Sequence, residues 1–317
     1  MISSQEKSRT DALDMKACAL CGLERPLRSS HIIPRFIFKH LKRSSSTGFM
    51  RDGSQMNQRA QDGIKLPLLC GNCEGTLSEW ERVFSERIYY PCTKARNGPL
   101  VYEEWMLKFA VSVSWRSLLW YYMEQTRRDE TESESEDILL KKALGTWRTY
   151  LMGKLPHPKS FEQHMLLMDC LEASTPPPMG FPPNVNRFFT RGTYMGLSYS
   201  NGQPRFVFTK MGRVFLFGFI GIDKPRQWVG TKINVRHGSI GGNVTLPTPV
   251  FHYLADRARE AEDRYEAMSE RQRGVIADTI EKSPEQFAES ETFEMMKRDI
   301  ELFGNDAVFR SGAKQPG

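Results

Sequence analysis

The chain has no apolar run long enough to cross a bilayer, no glycine-rich phosphate loop, no heptad array and no internal repeat. These absences exclude membrane-spanning helices, P-loop nucleotide enzymes, coiled coils and solenoids. The opening segment, Met1 to Lys16, is polar and charged rather than signal-like, which predicts a soluble, cytoplasmic protein with no membrane partner. Cysteine and histidine are scarce, six of each in 317 residues, so their placement carries information. In a reducing compartment such thiols bind metal rather than pair. The length allows about two domains with their own cores.

Four of the cysteines form two Cys-x-x-Cys pairs, Cys18/Cys21 and Cys70/Cys73. That spacing predicts a closed tetrahedral zinc site, because each pair makes a tight knuckle that presents two sulfurs to one ion. A disulfide or a chance pairing is the alternative. Cys92 and Cys170 stand alone and read as small buried apolar residues. Between the pairs lies the pentapeptide Ser30-His31-Ile32-Ile33-Pro34.

Charge is unevenly spread. Residues 1–100 carry 16 Lys+Arg against 10 Asp+Glu, which accounts for the whole net charge of +6. A basic surplus beside a metal motif fits a polyanionic partner held by phosphate neutralisation, although an ordinary solvated basic surface has the same composition.

The pattern of elements predicts an α+β protein. Residues 1–16 read as a flexible lead-in and 17–91 as a zinc module. In that module Ser29 to Phe38 is a strand running into a basic helix, Ser44 to Asp62 a loop, and Gly63 to Leu69 a second strand. Cys73 to Tyr89 is a helix whose stripe is Leu77, Trp80, Phe84 and Ile88, stopped by Pro91. An apolar helix connects over 92–123, with Trp105, Trp115 and Trp120 as core anchors. The acidic Ser/Glu run 124–137 reads as an exposed linker or loop tip and marks the expected domain boundary. Residues 138–303 then form a domain of mixed β-sheet and helices, with a Pro-rich stretch at Thr175 to Pro183 and a hairpin around Met211-Gly212-Arg213. A helical stretch begins near Pro247, and 304–317 is a frayed tail.

Strand, loop, strand, then a helix opened by Cys-x-x-Cys, with a histidine near the first strand's end, resembles the HNH endonucleases. The matching text is Cys18-Ala-Leu-Cys21, Ser30-His31-Ile-Ile-Pro34 and Leu68-Leu69-Cys70-Gly-Asn-Cys73-Glu74. It covers about residues 17–90. The resemblance implies a zinc-bound treble clef carrying a ββα-metal nuclease unit. It also implies hydrolysis of phosphodiesters, in DNA before RNA, and a role in bacterial restriction or antiphage defence.

The residue chemistry fits those roles. Such a reaction requires an activated water, a divalent ion and cations that orient phosphate. His31 is the candidate general base. Glu74 stands where the family commonly places a metal-binding histidine, and a carboxylate there favours magnesium or manganese. As an acid in a first helical turn it also suits the helix dipole. Glu81 lies on nearly the same face two turns away, roughly 10 Å along the axis, too far to share the ion. Ser30 replaces the family's Asp or His before the base, and Lys65 replaces its central Asn. Asp62, or less directly Asn57 or Asn72, is the candidate second ligand. Arg35, Lys39, Arg43, Arg51, Arg59 and Lys65 are candidate phosphate contacts, each otherwise a solvated charge. The rival expectation is a non-catalytic zinc module that binds nucleic acid or scaffolds a partner. Residues 101–317, balanced in charge, are expected to regulate, recognise or oligomerise, with a regulatory protein or a second copy as partner.

Overall fold

A computed structural model describes residues 15–309 except 52, 54, 95–97, 129–132, 172–179 and 201–202. The chain starts with β1 (Met15–Ala17), turns through Cys18 to Cys21, and returns as β2 (Glu24–His31). The reversal needs a left-handed residue, and Gly22 supplies it at φ +79° while its amide donates to the Cys18 carbonyl at 2.8 Å. β2 therefore begins five residues before the expected Ser29. Glu24, Arg25 and Pro26 are poor strand formers, and it is pairing with β1 that makes them extended.

α1 (Arg35–Arg43) follows Pro34 and buries Ile37, Phe38 and Leu41. Its basic last turn, His40, Lys42 and Arg43, suits the negative end of the helix dipole. The segment read as a loop contains a short hairpin, β3 (Met50–Arg51) with β4 (Arg59–Ala60). β5 (Lys65–Cys70) pairs antiparallel with β2, giving the order β1-β2-β5. α2 (Gly71–Phe84) continues through a π-helical turn, Ser85–Tyr89, into a last turn, Tyr90–Cys92. Pro91 thus sits inside the helical rod instead of stopping it. It falls where the π-helical turn gives way to the last α-turn, and the rod ends at Cys92, one residue beyond it.

β6 (Leu100–Tyr102) leads to α3 (Trp105–Arg128), which α4 (Glu134–Leu151) follows. The run 124–137, expected as a linker or loop tip, is largely helical among the described residues: it ends one helix and begins the next. Its acidic composition belongs to a helix start, where Glu136 accepts from the Ser133 amide at 2.8 Å and three acids occupy the first turn. β7 (Gln163–Leu167), α5 (Val185–Thr190), β8 (Thr193–Ser200), β9 (Gln203–Met211) and β10 (Val214–Phe219) come next. The four strands form an antiparallel sheet in the order β7-β10-β9-β8. β9 and β10 meet at the expected hairpin, with Gly212 at φ +60°. β11 (Gly238–Ile240) pairs back onto β6.

The remainder is helical: α6 (Thr248–Glu266), α7 (Glu270–Lys282), α8 (Pro284–Ala288), α9 (Glu291–Phe303) and α10 (Asn305–Phe309). The expected frayed tail therefore holds one more helix before residue 310. Of the expected lead-in 1–16, Met15 and Lys16 belong to β1, while residues 1–14, most of the Pro-rich stretch and residues 310–317 lie outside the described residues.

Alternation along β10 explains the packing. Val214 and Leu216 enter one core while Phe215, Phe217 and Phe219 enter another on the opposite sheet face. The first core is continuous from Cys18, Ile37 and Leu69 through Phe109 and Trp115 of α3 to Leu216 and Ile233. α3 is buried almost all round in its first half, and Phe84 stacks on Phe109 at 3.8 Å. The second core, around Phe208, Phe217 and Trp228, is closed by Val250 and Leu254 of α6. Cys92 is buried as expected and bonds the Tyr89 carbonyl, whereas Cys170 is only half-buried beside Met295.

The C-terminal helices return to the first module. Glu291, at the start of α9, meets buried His40 at 3.3 Å and Arg191 at 3.0 Å, and Arg191 also donates to the Leu41 carbonyl at 2.6 Å. Burial opposes ionisation of Glu291, but His40, Arg191 and Arg213 outweigh it and hold its pKa down to about 2. A depressed carboxylate pKa contributes stability above its unfolded value that is lost as pH falls toward the folded one. Acid titration from pH 4.5 to pH 2 is therefore expected to remove up to about 3 kcal/mol through this group. Glu291→Gln should flatten that part of the stability profile, measured by urea unfolding; an unchanged profile would refute the assignment.

Candidate metal centre and active site

The zinc expectation rests on two knuckles meeting. β1 and β2 carry Cys18 and Cys21 between them, while Cys70 ends β5 and Cys73 lies in the first turn of α2. The Ala19 amide donates to the Leu68 carbonyl at 3.0 Å, which clamps one knuckle onto the strand carrying the other. The four sulfurs lie within 4.8 Å of one another, and Cys21 and Cys70 are 3.9 Å apart. Tetrahedral Zn–S bonds of 2.3 Å place sulfurs about 3.8 Å apart. None of the six cysteines is joined in a disulfide.

The electrostatics also favour a cation. Burial opposes ionisation of Cys18, but backbone amides of Cys21, Cys70 and Leu20 outweigh it and lower its pKa to about 7. Burial and the neighbouring sulfurs push the Cys73 thiol up. Cys18, Cys21, Cys70 and Cys73 thus lie close enough to hold a metal ion, compatible with structural zinc.

A second group of side chains gathers where β2 ends. Ser30 is fully buried and donates to a Glu74 carboxylate oxygen at 2.5 Å. The serine that replaces a metal ligand in the resemblance therefore fixes the carboxylate on α2, and Glu74 has no other protein partner among the described residues. Next to it, His31 Nε2 lies 3.0 Å from Asp62, at an angle that is not an in-line hydrogen bond. Asp62 also meets Lys65 at 2.9 Å and accepts from the Gly63 amide at 3.0 Å. Burial opposes its ionisation, but Lys65, His31 and Gly63 win and lower its pKa to about 2. Gly63 must be glycine because the Phe38 ring of α1 packs where a Cβ would fall, 2.1 Å from Cζ.

The other site candidates separate. On α1, Arg35, Lys39 and Arg43 recur every four residues and share an exposed stripe. Arg59 is exposed and lies over the Phe49 ring at 3.8 Å. Arg51 is half-buried and tied down, bonding the Met56 carbonyl and Gln272 of α7, each at 3.1 Å. Asn57 accepts from the Ser269 amide at 2.9 Å, which directs it to the C-terminal helices. Asn72 has no side-chain partner among the described residues. Glu81 is taken by Arg116 at 2.7 Å. Among the described residues the four cysteines are the one convergent metal-ligating group, and Glu74, Asp62 and His31 are not drawn into a second.

Arg116 is the residue that sequence reasoning passed over. It sits in α3, 2 % exposed, and besides Glu81 it donates to the His31 carbonyl at 2.8 Å and the Ser112 carbonyl at 3.2 Å. One signal was available: a lone cation in the run Val111-Ser-Val-Ser-Trp-Arg116-Ser-Leu-Leu must be paired if that helix is buried. No helix of the described residues is long and apolar enough to cross a membrane. No family model, curated protein or solved structure matches the chain.

Proposed function

We propose that residues 17–91 form a treble-clef, HNH-like endonuclease unit that hydrolyses phosphodiester bonds in DNA. The observation that carries the reading is the adjacency of His31, which faces Asp62, and Ser30, which anchors Glu74, beside a four-cysteine metal centre. In this reading zinc at the cysteines is structural. A magnesium or manganese ion held by Glu74 and water would neutralise charge on the phosphate and the leaving oxygen. His31 accepts the proton of the attacking water. Asp62, held by Lys65, orients the imidazole and stabilises the charge it gains. The exposed stripe Arg35, Lys39, Arg43, with Arg59, positions phosphates. Residues 101–317 regulate or recognise, with a place in bacterial restriction or antiphage defence.

A second reading is favoured by the lack of further convergent ligands around Glu74: a non-catalytic zinc module that binds nucleic acid or scaffolds a protein. Divalent-ion binding separates the two. Calorimetry of the zinc-loaded protein is expected to show one magnesium or manganese site that Glu74→Ala abolishes. Ser30→Ala should weaken it about tenfold, as loss of a ligand's hydrogen-bond partner typically does. No site beyond the cysteines would favour the module.

A further inference from the structure

On the sheet of the zinc module, the β1–β2 ribbon carries cations that the fold does not use. Lys16 of β1 lies directly opposite Arg25 of β2, and like charges so placed destabilise a strand pair. Arg25 and Arg28 are exposed and have no ion pair or side-chain hydrogen bond among the described residues. Other arginines close to this core are spent on structure: Arg82 bridges Glu79 and Glu86, Arg116 holds Glu81, and Arg148 bonds the Leu20 carbonyl. Arg25 and Arg28 line an open groove of about 400 Å³ together with Leu27, Gly71 and Asn72. Gly71 has no side chain, and the Arg28 guanidinium lies 3.7 Å from the point a Cβ would occupy, so the arginine lies along the groove wall.

We propose that this groove, through Arg25 and Arg28, holds the phosphate backbone of duplex DNA. The inference rests on the reading of the chain as a DNA endonuclease and extends it to where the strand runs. Charge complementarity names the occupant: two unpaired arginines flanking a polar groove suit a repeating anion. Continuity points the same way. Gly71 and Asn72 precede Glu74 on α2, and Arg28 precedes His31 by three residues on β2. With a bulge after Arg28, these three residues of strand span at most about 10 Å, a length over which one DNA strand presents about three phosphates. A backbone with one phosphate at His31 and Glu74 therefore passes the groove a few nucleotides away.

The test is binding of a short labelled duplex, by fluorescence anisotropy over a salt titration, to the zinc-loaded full chain carrying His31→Ala, which prevents cutting. Adding Arg25→Ala and Arg28→Ala should weaken binding about tenfold and make the slope of log affinity against log salt shallower by about 2. Both side chains are exposed and unbonded, so zinc content and melting temperature should hold. Unchanged affinity and slope, or no binding by the parent, would overturn the proposal. An equal effect from neutralising exposed Arg226 and Arg236, on the C-terminal part, would overturn it too, since only net charge would then matter. Arginine-dependent binding that prefers RNA would overturn the choice of DNA. Cleavage by the chain with His31 intact is scored separately: cutting without groove dependence sinks the groove alone, and groove-dependent binding without cutting sinks the nuclease alone.

Discussion

Cys70→Ser, or stripping the metal with a chelator, is expected to unfold the first module and most of the chain with it. Purified wild-type protein should contain one zinc per chain by atomic absorption, and the variant less than a tenth of that. Structural zinc in small domains contributes about 10–16 kcal/mol of apparent binding free energy, against a typical total stability of about 5–15 kcal/mol. Cys70 also ends β5 and joins the core that runs on to α3 and the second sheet, so loss there is not confined to a surface knuckle. Thermal unfolding followed by circular dichroism should lose its cooperative transition. A variant that keeps zinc and melts within a few degrees of wild type would show that the four sulfurs do not form the site.

Arg116→Met is expected to destabilise the protein by about 3–5 kcal/mol, the usual cost of leaving one partner of a buried ion pair uncompensated. The variant strands Glu81 and removes the donor to the His31 carbonyl, in the middle of the packing between α2, α3 and β2. For a chain of this size that lowers the melting temperature by roughly 10 °C. Adding Glu81→Gln should recover part of the loss, because the uncompensated charge goes. Full additivity of the two variants would mean that the residues do not interact.

The four-cysteine cluster was legible in the sequence because each Cys-x-x-Cys knuckle is a local device whose spacing brings its own two sulfurs together. The hairpin of the second sheet was legible for a similar reason, since a cluster of β-formers in Val214 to Phe219 next to a turn glycine is a short-range signal. What escaped were features set by distant partners. The first half of β2 exists through β1, against the propensity of Pro26. The acidic run 124–137 has a linker's composition but continues α3 and, through Ser133 and Glu136, starts α4. Glu291, 251 residues from His40, bonds it across the fold, a pairing no local pattern announces. At the candidate site, the resemblance to the HNH endonucleases is what singles out His31 and Glu74. That Ser30 would anchor Glu74, and that Asp62 would face His31, depended on the close packing of Phe38 on Gly63 and on the pairing of β2 with β5.

Cleavage of supercoiled plasmid, linear duplex, single-stranded DNA and RNA by the zinc-loaded full chain tests the central claim most directly, in magnesium and in manganese, beside His31→Ala. The account predicts nicking or cutting of DNA that requires the added ion and falls about 10²- to 10⁴-fold in the variant, the range a general base contributes. Wild type and variant cutting equally well, or both inert while the protein binds the added ion through Glu74 and the duplex through Arg25 and Arg28, would contradict it.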